Sequence, residues 1–274
     1  MRLAILLILA AAALPAADTS PEGLRQLVRQ CLVNLDKTDA QMRGYEYTIH
    51  EDSKEYEGHA AAKTRSVVMR RGYIDGLPVN RVLARNGTAL TPAEQQKNEE
   101  ELKASVATRK AETPEQREKQ AAERRKRNAE RESWYKEAPE ALDYKLAGED
   151  TLDGRKMLIV AFSPHPGYHP KNLWSRVLEK MTGKIWVDPE ESEIARAEAG
   201  LSGDVTIGWG LVARINQGSH FTLTRSRAAP HVWLTGKQTA SYSARIVFKT
   251  IRGESTTEFS DFAPRQDQEA RAAR

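Results

Sequence analysis

His165 and His169 lie four residues apart in a segment that also contains Pro164, Pro166, Gly167 and Pro170. Two imidazoles could begin a metal site, but zinc needs three or four ligands, and the nearest carboxylate in sequence is several residues away. The prolines and glycine make this segment a turn, so a surface loop that contains two histidines is the plainer account. Asp188, Glu190 and Glu191 form a second cluster. Set in Asp-Pro-Glu-Glu after a strand, they read as turn chemistry rather than as a general acid and base. Gly200-Leu201-Ser202-Gly203 falls one residue short of a nucleophile elbow, and no H-E-x-x-H, P-loop or dinucleotide fingerprint occurs. No nucleophile–base pair can be nominated. The chain is therefore expected to have no catalytic residue, no metal and no cofactor, and not to be an enzyme. Five tryptophans, Trp134, Trp174, Trp186, Trp209 and Trp233, could line a sugar or lipid site, although core packing accounts for most such residues.

The elements that would carry these residues begin at Ser20-Pro21, an N-cap followed by Pro at N1. Leu24, Leu27, Val28, Cys31, Leu32 and Leu35 follow at helical spacing, one apolar stripe on a helix of about four turns. Cys31 within that stripe reads as a small buried hydrophobe. From Gly44 the period becomes two, with Tyr45, Tyr47 and Ile49 alternating against Glu46, Thr48 and His50. Arg65 to Arg71 and Val79 to Arg85 continue a meander punctuated by Asp75-Gly76 and Asn86-Gly87. Two capping boxes, Thr91-Pro92-Ala93-Glu94 and Thr113-Pro114-Glu115-Gln116, then open helices over 92–111 and 114–134. Leu102 and Val106 are almost their only large apolar residues, so these helices are expected to project from the domain or lie loosely on it. The run Arg124-Arg125-Lys126-Arg127 is balanced by local acids and reads as a solvated face.

Strands resume at Tyr144. Tyr144 to Asp150 and Lys156 to Ser163 flank Asp153-Gly154, a hairpin signal. Leu173, Trp174, Val177, Leu178 and Met181 suggest a short helix ended by Gly183, and further strands follow to Phe262. From Val205 to Asn216, the residues Val205, Ile207, Trp209, Leu211, Ala213 and Ile215 share one parity, which predicts a single long strand with one apolar face. Most strands repeat that pattern, so a large curved sheet must cover its own apolar side by closing partway into a barrel and taking the first helix into its mouth. The fold class is α+β, mostly antiparallel: an unclosed half-barrel capped by an N-terminal helix, with a charged two-helix insertion over 91–135. One domain over 17–263 and a disordered tail over 264–274 are expected. The ligand-binding candidates are Ile207, Trp209, Leu211 and Ala213, together with Trp186 and Phe221.

Met1 and Arg2, the apolar run Leu3 to Ala13, and Leu14-Pro15-Ala16-Ala17 have the form of a secretory signal peptide, with cleavage after Ala16 or Ala17. The run is well short of the ~20 residues that span a bilayer, so no transmembrane segment is expected in the mature chain. A periplasmic or secreted location follows. With 39% hydrophobic residues, mean hydropathy −0.63 and one cysteine, the 274-residue chain has material for a core but none for an internal disulfide. Net charge +4 and pI near 9.1 read most simply as a mildly basic soluble surface, and any charge-selected partner of an exported chain would be an anionic lipid or polymer surface rather than nucleic acid.

Four phrases, residues 148–155, 163–170, 183–190 and 231–238, resemble exported bacterial proteins grouped with the outer-membrane lipoprotein-sorting carriers. The similarity covers Gly72 to Phe262, and its most specific piece is Gly183 to Glu190: a Gly, an Ile-Trp-Val strand, then Asp-Pro-Glu at a turn. The resemblance implies an unclosed antiparallel barrel whose helices plug a hydrophobic cavity, and a carrier of an acyl lipid or lipoprotein ligand. The rival expectation is a non-catalytic envelope interaction protein with a filled core, whose charged helices contact an envelope or anionic surface. Alternation looks the same whether side chains or a ligand fill the interior.

Overall fold

The computed structural model describes residues 18–57, 60–74, 76–171, 175–207, 213–246 and 249–265. The expected signal peptide, Trp174, Trp209, Leu211 and all but the first two residues of the expected tail lie outside them.

Helix α1 spans Pro21–Asp36. Ser20 caps it, its hydroxyl accepting from Gly23 N at 3.1 Å, and it buries Leu24, Val28, Cys31 and Leu32 on one face. A short helix, α2 (Thr38–Met42), follows directly. Strands β1 (Tyr45–Glu57), β2 (Ala60–Ile74), β3 (Leu77–Arg85) and β4 (Thr88–Ala89) form the expected meander. Helices α3 (Pro92–Ala111) and α4 (Pro114–Ala141) come next, each opened by a complete capping box at Thr91 or Thr113. The second half of the chain supplies β5 (Leu142–Leu152), β6 (Arg155–Pro164), β7 (Met181–Asp188), β8 (Glu193–Leu201), β9 (Val205–Ile207), β10 (Ala213–Ile215), β11 (His220–Ala229), β12 (Val232–Ile246) and β13 (Lys249–Pro264).

All pairings among the described residues are antiparallel, and the strands make one sheet in the order β4-β3-β2-β1-β13-β12-β11-β8-β7-β6-β5, with the β9–β10 pair attached to β12. The pairing of β1 with β13, from Tyr45↔Pro264 to Tyr56↔Arg252, joins the two halves of the chain. The sheet stays open: β3 with β4 forms one edge and β5 the other, and α3 and α4 are the connection between those edges. The hairpins at Asn86-Gly87 (φ 49° and 78°) and Asp153-Gly154 (φ 51° and 75°) place both central residues at positive φ, as a two-residue turn matching the sheet twist requires.

Three local expectations are corrected. The segment 205–216 is not one long strand, because β9 and β10 pair with each other (Val205↔Ile215, Ile207↔Ala213). Alternation survives such a fold-back, since directly paired residues share a face, so periodicity could not tell the two apart. The helix expected over 173–181 is a 3-10 turn over Ser175–Lys180, and Met181 already begins β7. Gly183 therefore ends no helix. It sits inside β7, where a Cβ would fall 2.0 Å from the Glu198 carbonyl oxygen and 2.7 Å from Phe162 Cζ.

The third correction concerns α3 and α4. Helix α3 lies along β3: Val106 is buried, Glu99 receives Arg81 Nε at 2.8 Å, and Asn98 Oδ1 accepts from the β3 backbone at Val82 N. It thereby satisfies part of an edge that would otherwise be open. Helix α4 runs on to Ala141, and its last turns bury Glu137, Ala138 and Ala141. Arg25 Nε donates to Pro139 O at 3.1 Å, which fixes α1 against α4.

The main core lies between α1, the end of α4, the 3-10 turn and the inner face of β5–β8, with Leu158, Val160, Phe162, Ile185, Val187 and Ile194 facing the helices. A second cluster of Met42, Tyr47, Ile49, Val67, Met69 and Leu234 fills the β1–β2 half.

Candidate functional site

Between the helices and the sheet the core is not filled. A cavity of about 500 Å³ is bounded by Val28, Leu32 and Leu35 of α1, Thr38 and Asp39 of α2, and Tyr135 and Ala138 of α4. Its floor is the inner face of the sheet, running from Leu142 and Tyr144 of β5, through Phe162 of β6 and Ile185 of β7, to Phe221 and Leu223 of β11 and Gln238 of β12. The volume falls within the ~300–1,000 Å³ usual for small-molecule sites.

Why space remains here can be read from β8. Ile194 near its start and then Ala197 and Ala199 are its contribution to the cavity wall, while Arg196 and Glu198, which alternate with the alanines, pair with each other on the opposite face. Two alanines where neighbouring strands present Ile185, Leu223 and Phe162 leave volume that larger side chains would occupy. The helices are held out of it, α1 being fixed laterally to α4 and at its end to the β7–β8 turn through Asn34, which donates to Ser192 O at 3.0 Å.

The cavity's polar groups are few and mostly engaged. Tyr144 Oη donates to Ala138 O at 2.8 Å, and burial pushes its phenol above the usual range. Thr38 Oγ1 accepts from Arg225 Nη2 at 2.8 Å, and Arg225 is ion-paired with Glu193 at 2.7 Å. Burial pushes the Glu193 carboxyl up, opposed by the Arg225 bond. Burial, with Glu193 adding to it, also pushes the Cys31 thiol well up, as suits a packing residue rather than a reactive one. Outside the wall, the loop over 165–171 closes on α4, with Tyr168 Oη donating to the Glu137 carboxylate; burial and that bond push the phenol up to about 12.

Of the residues singled out from sequence, Phe221 lines the cavity and is 40% exposed at its rim. Trp186 does not line it. Ile185 and Val187 take the inner face, so Trp186 points the other way, donating from Nε1 to Asp150 Oδ2 at 3.0 Å with the Arg196 guanidinium 4.6 Å over its ring. Ile207 and Ala213 are paired backbone positions of β9 and β10; Trp209 and Leu211 lie outside the described residues. Sequence reasoning missed Tyr135 and Ala138, because α4 was expected to end at 134, and it missed the small-residue alternation of β8. His165 Nδ1 contacts Asp143 Oδ1 at 2.8 Å, and among the described residues no three metal-ligating side chains come together. Asp188 is the turn residue its sequence suggested: buried, accepting from Glu190 N at 2.9 Å and Glu191 N at 3.1 Å, and paired with Arg155.

Fold and cavity together define an open antiparallel half-barrel with a helix-covered apolar pocket. No protein-family model matches the chain, and no curated protein matches it. Solved structures similar to it include a DUF1329 family protein from Desulfovibrio piger, at 10% identity and TM-score 0.31 over 90% of this chain and 95% of that one. A domain assigned to outer membrane lipoprotein sorting from Vibrio parahaemolyticus gives 8% and 0.33 over 87% and 94%, and a LolA superfamily protein from Nitrosomonas europaea gives 7% and 0.25 over 87% and 94%.

Proposed function

We propose that this protein is a non-catalytic binding module of the periplasm or cell exterior, which shelters an acyl chain or another hydrophobic ligand beneath α1. The observation that carries this reading is the apolar cavity of about 500 Å³ between α1, α4 and the inner face of the sheet. Genuinely apolar space of this size gains little from water, whereas each methylene moved into it gains ~0.8 kcal/mol. The exposed first half of α4, which includes Arg125 and Lys126, is available for contact with an anionic envelope surface.

The test is binding of an environment-sensitive acyl probe to the mature protein and to Ala197→Phe, which puts a ring into the cavity from its wall. Strong fluorescence with the native protein, lost in a variant with an unchanged urea midpoint, is the expected result. A native protein that binds no acyl probe would sink the reading and favour an interaction scaffold.

A further inference from the structure

The cavity crosses the sheet from β12 to β5, five strand spacings of about 4.8 Å along a curved floor. Its two ends differ. At the β11–β12 end the lining includes exposed Phe221 and half-buried Gln238, so this end meets solvent. The opposite end is closed by α4, where Tyr135 and Ala138 face the lumen one turn apart. Behind that end lies a second void of about 330 Å³, a surface groove between α1 and α4 lined by Arg29, Leu32, Val33, Asp36, Tyr135, Lys136 and Pro139. Only Leu32 and Tyr135 line both spaces.

Granting the acyl-binding reading, we infer that Tyr135, backed by Leu32, is the end wall of the cavity and sets the longest chain it can hold. A chain entering at Phe221 runs along the floor until its terminal methyl meets the Tyr135 ring. Leu32 is a core residue of α1 and is held in place by the helix's own docking. Tyr135 is only half-buried, so it is the thinner part of the partition. Removing its ring joins cavity and groove, and the groove has apolar surface to receive further methylenes at Val33, which is 50% exposed. Tyr135 is thus a specificity-determining residue for chain length.

The test is a series of saturated fatty acids of rising length, measured by displacement of the acyl probe. Each methylene that finds apolar space raises affinity about fourfold, so affinity climbs with length and then breaks where the tail meets the wall. In Tyr135→Ala the break moves to longer chains. Val33→Glu alone leaves the native break where it is, because Val33 lines only the groove; added to Tyr135→Ala, it returns the break to its native position. If Tyr135→Ala does not fold, Tyr135→Val shortens the same wall by less and moves the break by less. An unmoved break in the folded variants, or no break in the native protein, overturns the inference while leaving the acyl-binding reading intact. Failure of every fatty acid to displace the probe removes that reading instead, and the end wall with it.

Discussion

Arg225 is ion-paired with Glu193 at 2.7 Å beneath α1 and α2, the two side chains being 0% and 4% exposed. The same guanidinium donates to Ile194 O, Thr38 Oγ1 and Trp233 O, so one side chain ties β8, α2 and β12 together on the helix side of the sheet. Such a pair is held in a medium where either charge alone would be costly.

Arg225→Met should therefore cost about 3–5 kcal/mol, because Glu193 is left buried without its partner. Burial already pushes the Glu193 carboxyl up, and losing Arg225 pushes it further. A raised carboxyl binds its proton more readily folded than unfolded, so the variant should gain stability as pH falls from neutrality towards the ordinary glutamate range. Urea midpoints across that range check the sign. A variant that only loses stability on acidification would mean that Glu193 is solvated.

Glu191 should behave in the opposite sense. Its carboxylate accepts from Arg227 Nε (2.8 Å) and Nη2 (2.6 Å), Trp233 Nε1 (2.7 Å) and His231 N (3.3 Å). These bonds, the Arg227 bonds foremost, hold it at about 2. A lowered carboxyl contributes stability above its unfolded value near 4.5 and loses it as pH falls towards 2. Glu191→Gln should cost as much as ~3 kcal/mol at neutral pH and much less near pH 2, so the native and variant midpoints should converge in acid. Parallel curves would show that the bonds do not favour the ionised carboxylate.

Gly183→Ala should be among the most damaging single-methyl changes in the sheet. The new Cβ would meet backbone on β8 at 2.0 Å and the Phe162 ring at 2.7 Å, and the backbone cannot yield without breaking the β7–β8 register. Several kcal/mol, read as a lower urea midpoint at unchanged slope, is expected. A change below 1 kcal/mol would mean the strands are further apart than described.

How far the sequence revealed this architecture depends on which physics governed each element. The capping boxes at Thr91 and Thr113 and the turns at Asn86-Gly87 and Asp153-Gly154 are local chemistry, and they were legible residue by residue. The half-barrel followed from period-two faces that needed cover. What failed was non-local. Gly183 is glycine because of Glu198 and Phe162, fifteen and twenty-one positions away in the chain, not because of the residues before it. The docking of α3 depends on a free edge of β3, which no feature of the helix itself announces. For the cavity wall the sequence points to 207–213, whose apolar face is conspicuous, and to Trp186 and Phe221, of which Phe221 lines the cavity; the wall that leaves room is Ala197 and Ala199, conspicuous only for being small.

Cys31 offers a direct measure of how α1 moves. Its thiol is fully buried in the main core, and burial pushes it far from the thiolate form that alkylating reagents need. In the native protein, labelling by a thiol reagent should therefore require α1 to lift from the sheet, and its rate should report that opening and not the chemistry of the thiol. Val28 and Leu32, the neighbours of Cys31 on the buried face of α1, line the cavity, so a bound acyl chain packs against the closed helix and not the open one. Labelling should then slow in proportion to one plus ligand concentration over Kd, by about tenfold at nine times Kd. The comparison is mass-spectrometric labelling of native protein with and without a fatty acid, with Ala197→Phe as the control that keeps α1 docked but excludes the ligand. Slowing in the native protein and none in the variant is the expected pair of results. Rapid labelling without ligand would mean that α1 does not close the half-barrel in solution. Equal protection in both proteins would mean that the fatty acid acts somewhere other than this cavity.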